Sequence, residues 1–317
     1  MHHHTLTRRS LLLPAVALTF LALLAAQTAQ ATQGNEPFWA DFFTGYRYGQ
    51  NFREPHNPNK ITKNIFQMQM SAEGLMGGVY NFEILRSCGS SNPKRNSTRG
   101  ATEYRLVYHT TIAVGGEPTT PPRTNASSDT IINTDDGVSV SFPGKPLYGF
   151  IRNAGMTMGY DLSTKNDALG RRTLAFCIGP AVYFNVPGYF YVGALLVKEN
   201  NRNAITGRNV YYHPTYCLTA DWSIPIKKTP IILKGSASYT GCKGKDGFGN
   251  KTAPETFVEA AIMLNPFLFF KNRPRAGKLH IGLGWQYWNN KHGSNVAFDP
   301  TGGSRATGLQ LLVEAHL

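Results

Sequence analysis

Charge is scarce in this 317-residue chain: Asp, Glu, Lys and Arg make up only 16% of it, against roughly a quarter in an ordinary soluble domain. That poverty argues against a helical bundle, a coiled coil or a disordered chain. Acidic residues are the rarer sign, 19 against 32 Lys and Arg, so the net charge is +13. Yet no basic block exceeds two residues, and a phosphate-tracking stripe for nucleic acid is not supported. Only four cysteines occur, Cys88, Cys177, Cys217 and Cys242, none in C-x-x-C spacing. This speaks against a cysteine zinc site and leaves their pairing open. No low-complexity linker and no fixed-period repeat divides the chain, which favours one domain. There is no G-x-S-x-G, and Gly244 and Gly247 to Gly249 around Asp246 are too sparse, and followed by no helix, for a phosphate-cradling loop. Neither an enzyme, a cofactor nor a metal is expected.

What is present begins with an export signal over residues 1–31. Arg8 and Arg9 are a positive start, Leu11 to Ala26 an apolar core, and Ala29-Gln30-Ala31 a small-x-small cleavage site. The core contains Pro14 and is too short and poorly flanked for an anchor. The paired arginines leave both the general secretory and the twin-arginine routes open. Cleavage removes 31 residues, two of them arginines, and leaves residues 32–317 as one domain of net charge +11.

That domain alternates with a period of two. Tyr104, Leu106, Tyr108 and Ile112 share one face of a segment whose other face carries Glu103, Arg105 and His109. Similar alternation runs through 64–70, 76–85 and 278–288. In the last segment Leu309, Leu311, Val313, Ala315 and Leu317 oppose Gln310, Glu314 and His316. The most apolar stretch, Ala181 to Val197, is broken by Asn185 and Pro187-Gly188 and reads as a hairpin rather than a membrane helix. Ser87 to Arg99 and Gly115 to Gly137 read as long polar loops.

A soluble sandwich and a membrane barrel both use such strands. Segments of about ten residues match a tilted bilayer crossing. Aromatics at strand ends, Tyr189/Tyr191, Tyr211-Tyr212 and Trp285/Tyr287/Trp288, suit interfacial girdles, as do Tyr46 and Tyr48. An alternating strand at the C-terminus matches an outer-membrane assembly signal, with Leu317 in place of the usual aromatic. The expected fold is all-β: a transmembrane antiparallel barrel of about twelve strands.

The mature N-terminus is more specific. Gly45-Tyr46-Arg47-Tyr48-Gly49-Gln50-Asn51-Phe52-Arg53-Glu54-Pro55, followed by Lys63-Asn64-Ile65, resembles the opening of the Tsx-like outer envelope proteins. Asp161 to Asp167, Gly179-Pro180, Val186-Pro187-Gly188, Lys198 to Asn201, Lys243 to Gly249, Pro254-Glu255-Thr256 and Trp285 to Lys291 follow in that family's order. The resemblance implies a monomeric outer-membrane barrel, inserted by the outer-membrane assembly machinery, that passes small solutes passively, with nucleosides the cargo in its characterised branch. Leu317, the two long loops and the four cysteines depart from the pattern.

With apolar faces toward lipid, the inward candidates are Arg47, Asn51, Arg53, Glu83, Glu103, Arg105, His109, Asp161, His213, Asp221, Phe257, Glu259, Gln286 and His316. Of these Arg47, Arg53, Glu83, Glu103, Arg105, His109, Asp161 and Glu259 are the candidate solute contacts, offering ribose hydroxyls and base edges several weak hydrogen bonds. The bland alternative is a charge ladder that only lines a polar lumen. A general pore, a barrel that binds through its loops without transport, and a membrane-embedded lipid hydrolase are rival functions; no marked nucleophile–base pair favours the last.

Overall fold

In a computed structural model the period-two segments become strands. The structure describes residues 39–73, 76–113, 148–203, 205–227, 229–266 and 279–316; the export signal expected over 1–31, the loop expected at 115–137 and Leu317 lie outside them. The strands are β1 (Trp39–Phe52), β2 (Ile61–Glu73), β3 (Met76–Ser87), β4 (Thr102–Ala113), β5 (Ile151–Lys165), β6 (Arg172–Phe184), β7 (Tyr189–Arg202), β8 (Asn209–Tyr211), β9 (Thr215–Pro225), β10 (Ile231–Thr240), β11 (Glu255–Leu264), β12 (Leu279–Asn289) and β13 (Ala306–His316). Each barrel strand pairs antiparallel with its neighbours, β1 pairs with β13, and β6 pairs with β7. The ring is therefore closed by twelve strands, with the three-residue β8 an appendage on the end of β7. Closure leaves no free edge, which a strand protein in lipid requires.

Strand direction fixes which connections share an end. The loops 53–60, 88–101, 166–171, 203–214, 241–254 and 290–305 lie at one end, called here the loop end. The termini of the barrel and the turn at 185–188 lie at the other. The hairpin read from Pro187-Gly188 is present: Gly188 takes φ of +74°, and a Cβ there would lie 2.1 Å from the Ser223 carbonyl oxygen. Of the two long polar segments, the one over 88–101 connects β3 to β4 at the loop end. That loop is pinned, with Arg95 N–H donating to the Asn166 carbonyl (2.9 Å) and Asn92 Nδ2 to Ser87 Oγ (3.0 Å).

The exterior is apolar. On β13 Leu309, Leu311 and Val313 are exposed while Gln310, Leu312, Glu314 and His316 are buried, as the alternation predicts. Ile281, Leu283 and Trp285 on β12, Leu174 and Phe176 on β6, and Leu196 on β7 continue the band. Large apolar side chains exposed all around a closed ring, rather than packed into a core, are what a bilayer solvates. A tyrosine row crosses it, with Tyr80, Tyr108 and Tyr160 at ring-centroid distances of 4.6 and 5.3 Å. Trp285/Tyr287 and Tyr216/Tyr239 lie toward the loop end, Tyr148, Phe150, Phe184 and Phe190 toward the termini. The girdle assignment needs correction at four places. Trp288 alternates inward and packs on Phe257 (4.4 Å); Tyr191 points inward to Thr157, and Tyr189 shares its inward beat; Tyr212 is buried under the Lys243 ammonium.

The interior is not uniformly polar. Phe52, Ile61 and Ile65 form one buried apolar cluster near the loop end, and Ile232, Met263 and Leu312 another near the termini. All four cysteines are free thiols.

Candidate functional site

Three levels of polar side chains cross the barrel interior. The middle level is built from inward positions of β1, β2, β3, β4, β11, β12 and β13. Arg47 Nη1 donates to Glu259 Oε1 at 2.7 Å, although β1 and β11 are three strands apart, so this ion pair spans the interior rather than running along the wall. The other guanidinium nitrogen donates to Gln67 Oε1 and lies 3.6 Å from Glu83 Oε1. Gln286 and Gln310 donate to Glu259 Oε2 at 2.7 and 3.2 Å. Arg105 Nη1 is 3.8 Å from Glu83 Oε2, and His109 Nε2 is 3.4 Å from Asp161 Oδ1.

Burial divides this belt in two. The Arg47 and Glu83 side chains are 12% and 7% exposed, whereas Arg105, His109 and Asp161 are 38%, 33% and 39% exposed while facing inward. Water therefore reaches the interior along the β4–β5 wall, and the β1–β3 side is filled. Below the wet wall, toward the termini, lies a hydroxyl cluster: Thr111 Oγ1 is 2.8 Å from Thr157 Oγ1 and 2.9 Å from the Tyr183 hydroxyl, and Tyr191 donates to Thr157 Oγ1 at 3.3 Å.

At the loop end three lysines converge on one carboxylate. Lys63 and Lys291 reach Glu54 Oε1 at 2.6 and 3.2 Å, and Lys165 reaches Oε2 at 3.1 Å and Asp167 at 2.9 Å; all five are buried. Burial alone would raise the Glu54 carboxyl, but Lys165, Lys291 and Lys63 hold it well below the ordinary carboxylate range. Lys291 is the excess cation: burial, with Lys63 and Lys165 alongside, outweighs Glu54 and pushes it down to about 8. Burial and the Arg171 guanidinium likewise keep His292 well below its usual value, consistent with a neutral ring whose Nε2 accepts from Arg171 at 2.5 Å.

Near the termini, Lys234 donates to Glu314 Oε2 at 2.5 Å and lies 4.7 Å above the Phe43 ring, with His316 and His280 beside it.

Of the eight candidate contacts, Arg47, Glu83, Arg105 and Glu259 form one network, with His109 and Asp161 on the adjoining wet wall. Glu103 sits apart, 3.8 Å from Lys63 in the loop-end cluster. Arg53 lies beyond β1 in the loop at 53–60; its carbonyl accepts from Lys291 (3.0 Å) and its side chain approaches Gly302, not the central belt. Asn51 (φ +62°) and His213 are exposed at the loop end. Sequence reading passed over Lys63, Gln67, Lys165, Lys234 and Lys291 as inward residues, while Glu314 was placed on the polar face of its strand and is buried there. The first four lie on the inward beat of their strands and were detectable by extending the alternation; Lys291 is a loop residue with no such signal.

No family model matches the chain, and no curated protein matches it. Solved structures to which it is similar include the KdgM porin in complex with disordered oligogalacturonate (8% identity, 86% of this chain, 98% of that one, TM-score 0.40). The translocator domain of the autotransporter NalP from Neisseria meningitidis (12%, 96% and 97%, 0.36) and OmpT, an outer membrane protein of Vibrio cholerae (7%, 90% and 99%, 0.32), are others. Scores this low add nothing to the strand order. It is the barrel's own architecture, a closed antiparallel ring with an apolar exterior, that places the chain in a bacterial outer membrane.

Proposed function

We propose that this chain is a passive outer-membrane channel for small polar solutes, a monomeric Tsx-like barrel released from its export signal at Ala31, with nucleosides as its cargo. The observation that carries this reading is the wet wall of Arg105, His109 and Asp161 facing the Arg47–Glu83–Glu259 network inside a closed barrel. A lining of both signs repels neither anions nor cations strongly enough to favour either. It offers a neutral solute donors and acceptors at several points, none so strong that exit becomes slow. Ribose hydroxyls and base edges match such a lining, and the hydroxyl cluster at Thr111, Thr157, Tyr183 and Tyr191 extends it toward the termini.

The test is solute flux into liposomes carrying the refolded barrel, followed by block of single-channel current by added nucleoside. Nucleosides should enter faster than sugars of equal size. Arg105→Ala should weaken the block by roughly tenfold, the loss of one charge-assisted hydrogen bond. Rates that depend on size alone would reduce the assignment to a general pore, and no flux at all would leave a barrel that acts through its loops.

A further inference from the structure

We propose that His280, Glu314 and His316 form a binding site for a divalent transition ion of the zinc class, inside the barrel near its termini. Backbone register brings them together. β12 and β13 pair with His280 opposite Glu314, and His316, two residues further along β13, shares the inward face. One ligand atom from each side chain lies within 4.8 Å of the other two, and His316 Nε2 is 3.5 Å from Glu314 Oε2. For ligand bonds of about 2.1 Å, a tetrahedral site has edges of roughly 3.4 Å, so one edge is already in place. The imidazole rings sit 4.7 Å apart, and all three residues are buried. Two imidazoles with one carboxylate form a donor set for zinc-class ions with a further position open, whereas calcium and magnesium favour oxygen ligands.

One group opposes the metal. The Lys234 ammonium is paired with Glu314 Oε2 at 2.5 Å, and a dication at the carboxylate would repel it. Binding is therefore an exchange in which the divalent ion takes Glu314 and Lys234 withdraws along β10. No covalent chemistry is involved, and the inference stands whether or not the barrel conducts nucleosides.

Cobalt(II) serves as the visible probe and zinc as its competitor, added to the full refolded barrel in detergent. Expected are Co2+ absorption bands that zinc abolishes at one equivalent, at least tenfold weaker binding in His280→Ala/His316→Ala, and tighter binding in Lys234→Met. Comparison with the parent cancels any contribution from other histidines. The Lys234→Met arm keeps both imidazoles and the carboxylate, so it holds even if the double variant fails to fold. Absence of bands in the parent, equal binding by the parent and the double variant, or unchanged affinity in Lys234→Met would overturn the site.

Discussion

Leu311→Arg places a charge on the exterior of β13 and tests which way that strand faces. Leu311 is the sixth of eleven residues, and its Cα partners are Leu283 on β12 and Tyr48 on β1. A strand rising about 3.3 Å per residue and tilted by about 40° advances roughly 2.5 Å per residue along the membrane normal. Eleven residues then cover an apolar band of about 25 Å, with Leu311 at its midplane, Val313 about 5 Å away and Thr307 about 10 Å away near the loop-end interface. Arginine on a barrel exterior costs about 2–4 kcal/mol at the midplane and about 0–1 at the interface. The expected order is Leu311→Arg worst, Val313→Arg intermediate and Thr307→Arg nearly neutral, apart from the hydrogen bond Thr307 accepts from Trp285 Nε1 at 2.9 Å. Denaturant-driven equilibrium unfolding from lipid vesicles measures all three. Equal costs, or a neutral Leu311→Arg, would refute both the facing and the depth assigned to the strand.

Other expectations concern the loop-end cluster and the inward tryptophan. Glu54→Gln leaves Lys63, Lys165 and Lys291 without their shared counter-charge and should cost about 3–5 kcal/mol in the same assay. Because Glu54 titrates well below its unfolded value, its contribution is complete above about pH 4.3 and is lost as the pH falls further; a parent whose stability advantage over Glu54→Gln is unchanged from pH 6 to pH 3 would contradict the pairing. Lys291 runs the other way. With a folded value of about 8 and an unfolded one of about 10.4, the folded state binds fewer protons between them, so the parent should gain stability relative to Lys291→Met as the pH rises across that window. Single-tryptophan variants should show Trp285 quenched by brominated lipid and Trp288 protected, since the first lies on the exterior and the second over Phe257 inside; reversed quenching would invert β12.

Facing was legible in the sequence wherever the two faces differ in polarity. In a membrane barrel, Leu309, Leu311 and Val313 against Gln310 and Glu314 allow one reading only. It failed where an inward position is apolar or aromatic: Leu312, Ile65, Tyr191 and Trp288 look like lipid-facing residues in isolation, and only strand register shows them buried. The central belt was partly legible for the same reason, because Arg47, Glu83, Arg105 and Glu259 are each a polar beat on an alternating strand. Their meeting was not, since Arg47 and Glu259 are brought together by ring closure across 212 residues of chain. The loop-end cluster was least legible. Glu54 and Lys291 come from segments with no periodicity, and their burial depends on two loops folding over the same mouth.

The pairs that cross the interior also act as a check on how the ring is joined. β13 meets both β12 and β1, and a slip of one residue in that strand would exchange its two faces. Leu309, Leu311 and Val313 would then turn toward water, and Gln310, Glu314 and His316 toward lipid. The same slip would strand Lys234 without Glu314 and remove Gln310 from Glu259, so the error would be felt on β10 and β11, strands that never touch the seam. A backbone ladder alone tolerates a misregistered closure almost as well as a correct one, since its hydrogen bonds reform. Distant charges that find partners in one alignment only make the joining of the first and last strands close to an all-or-none event.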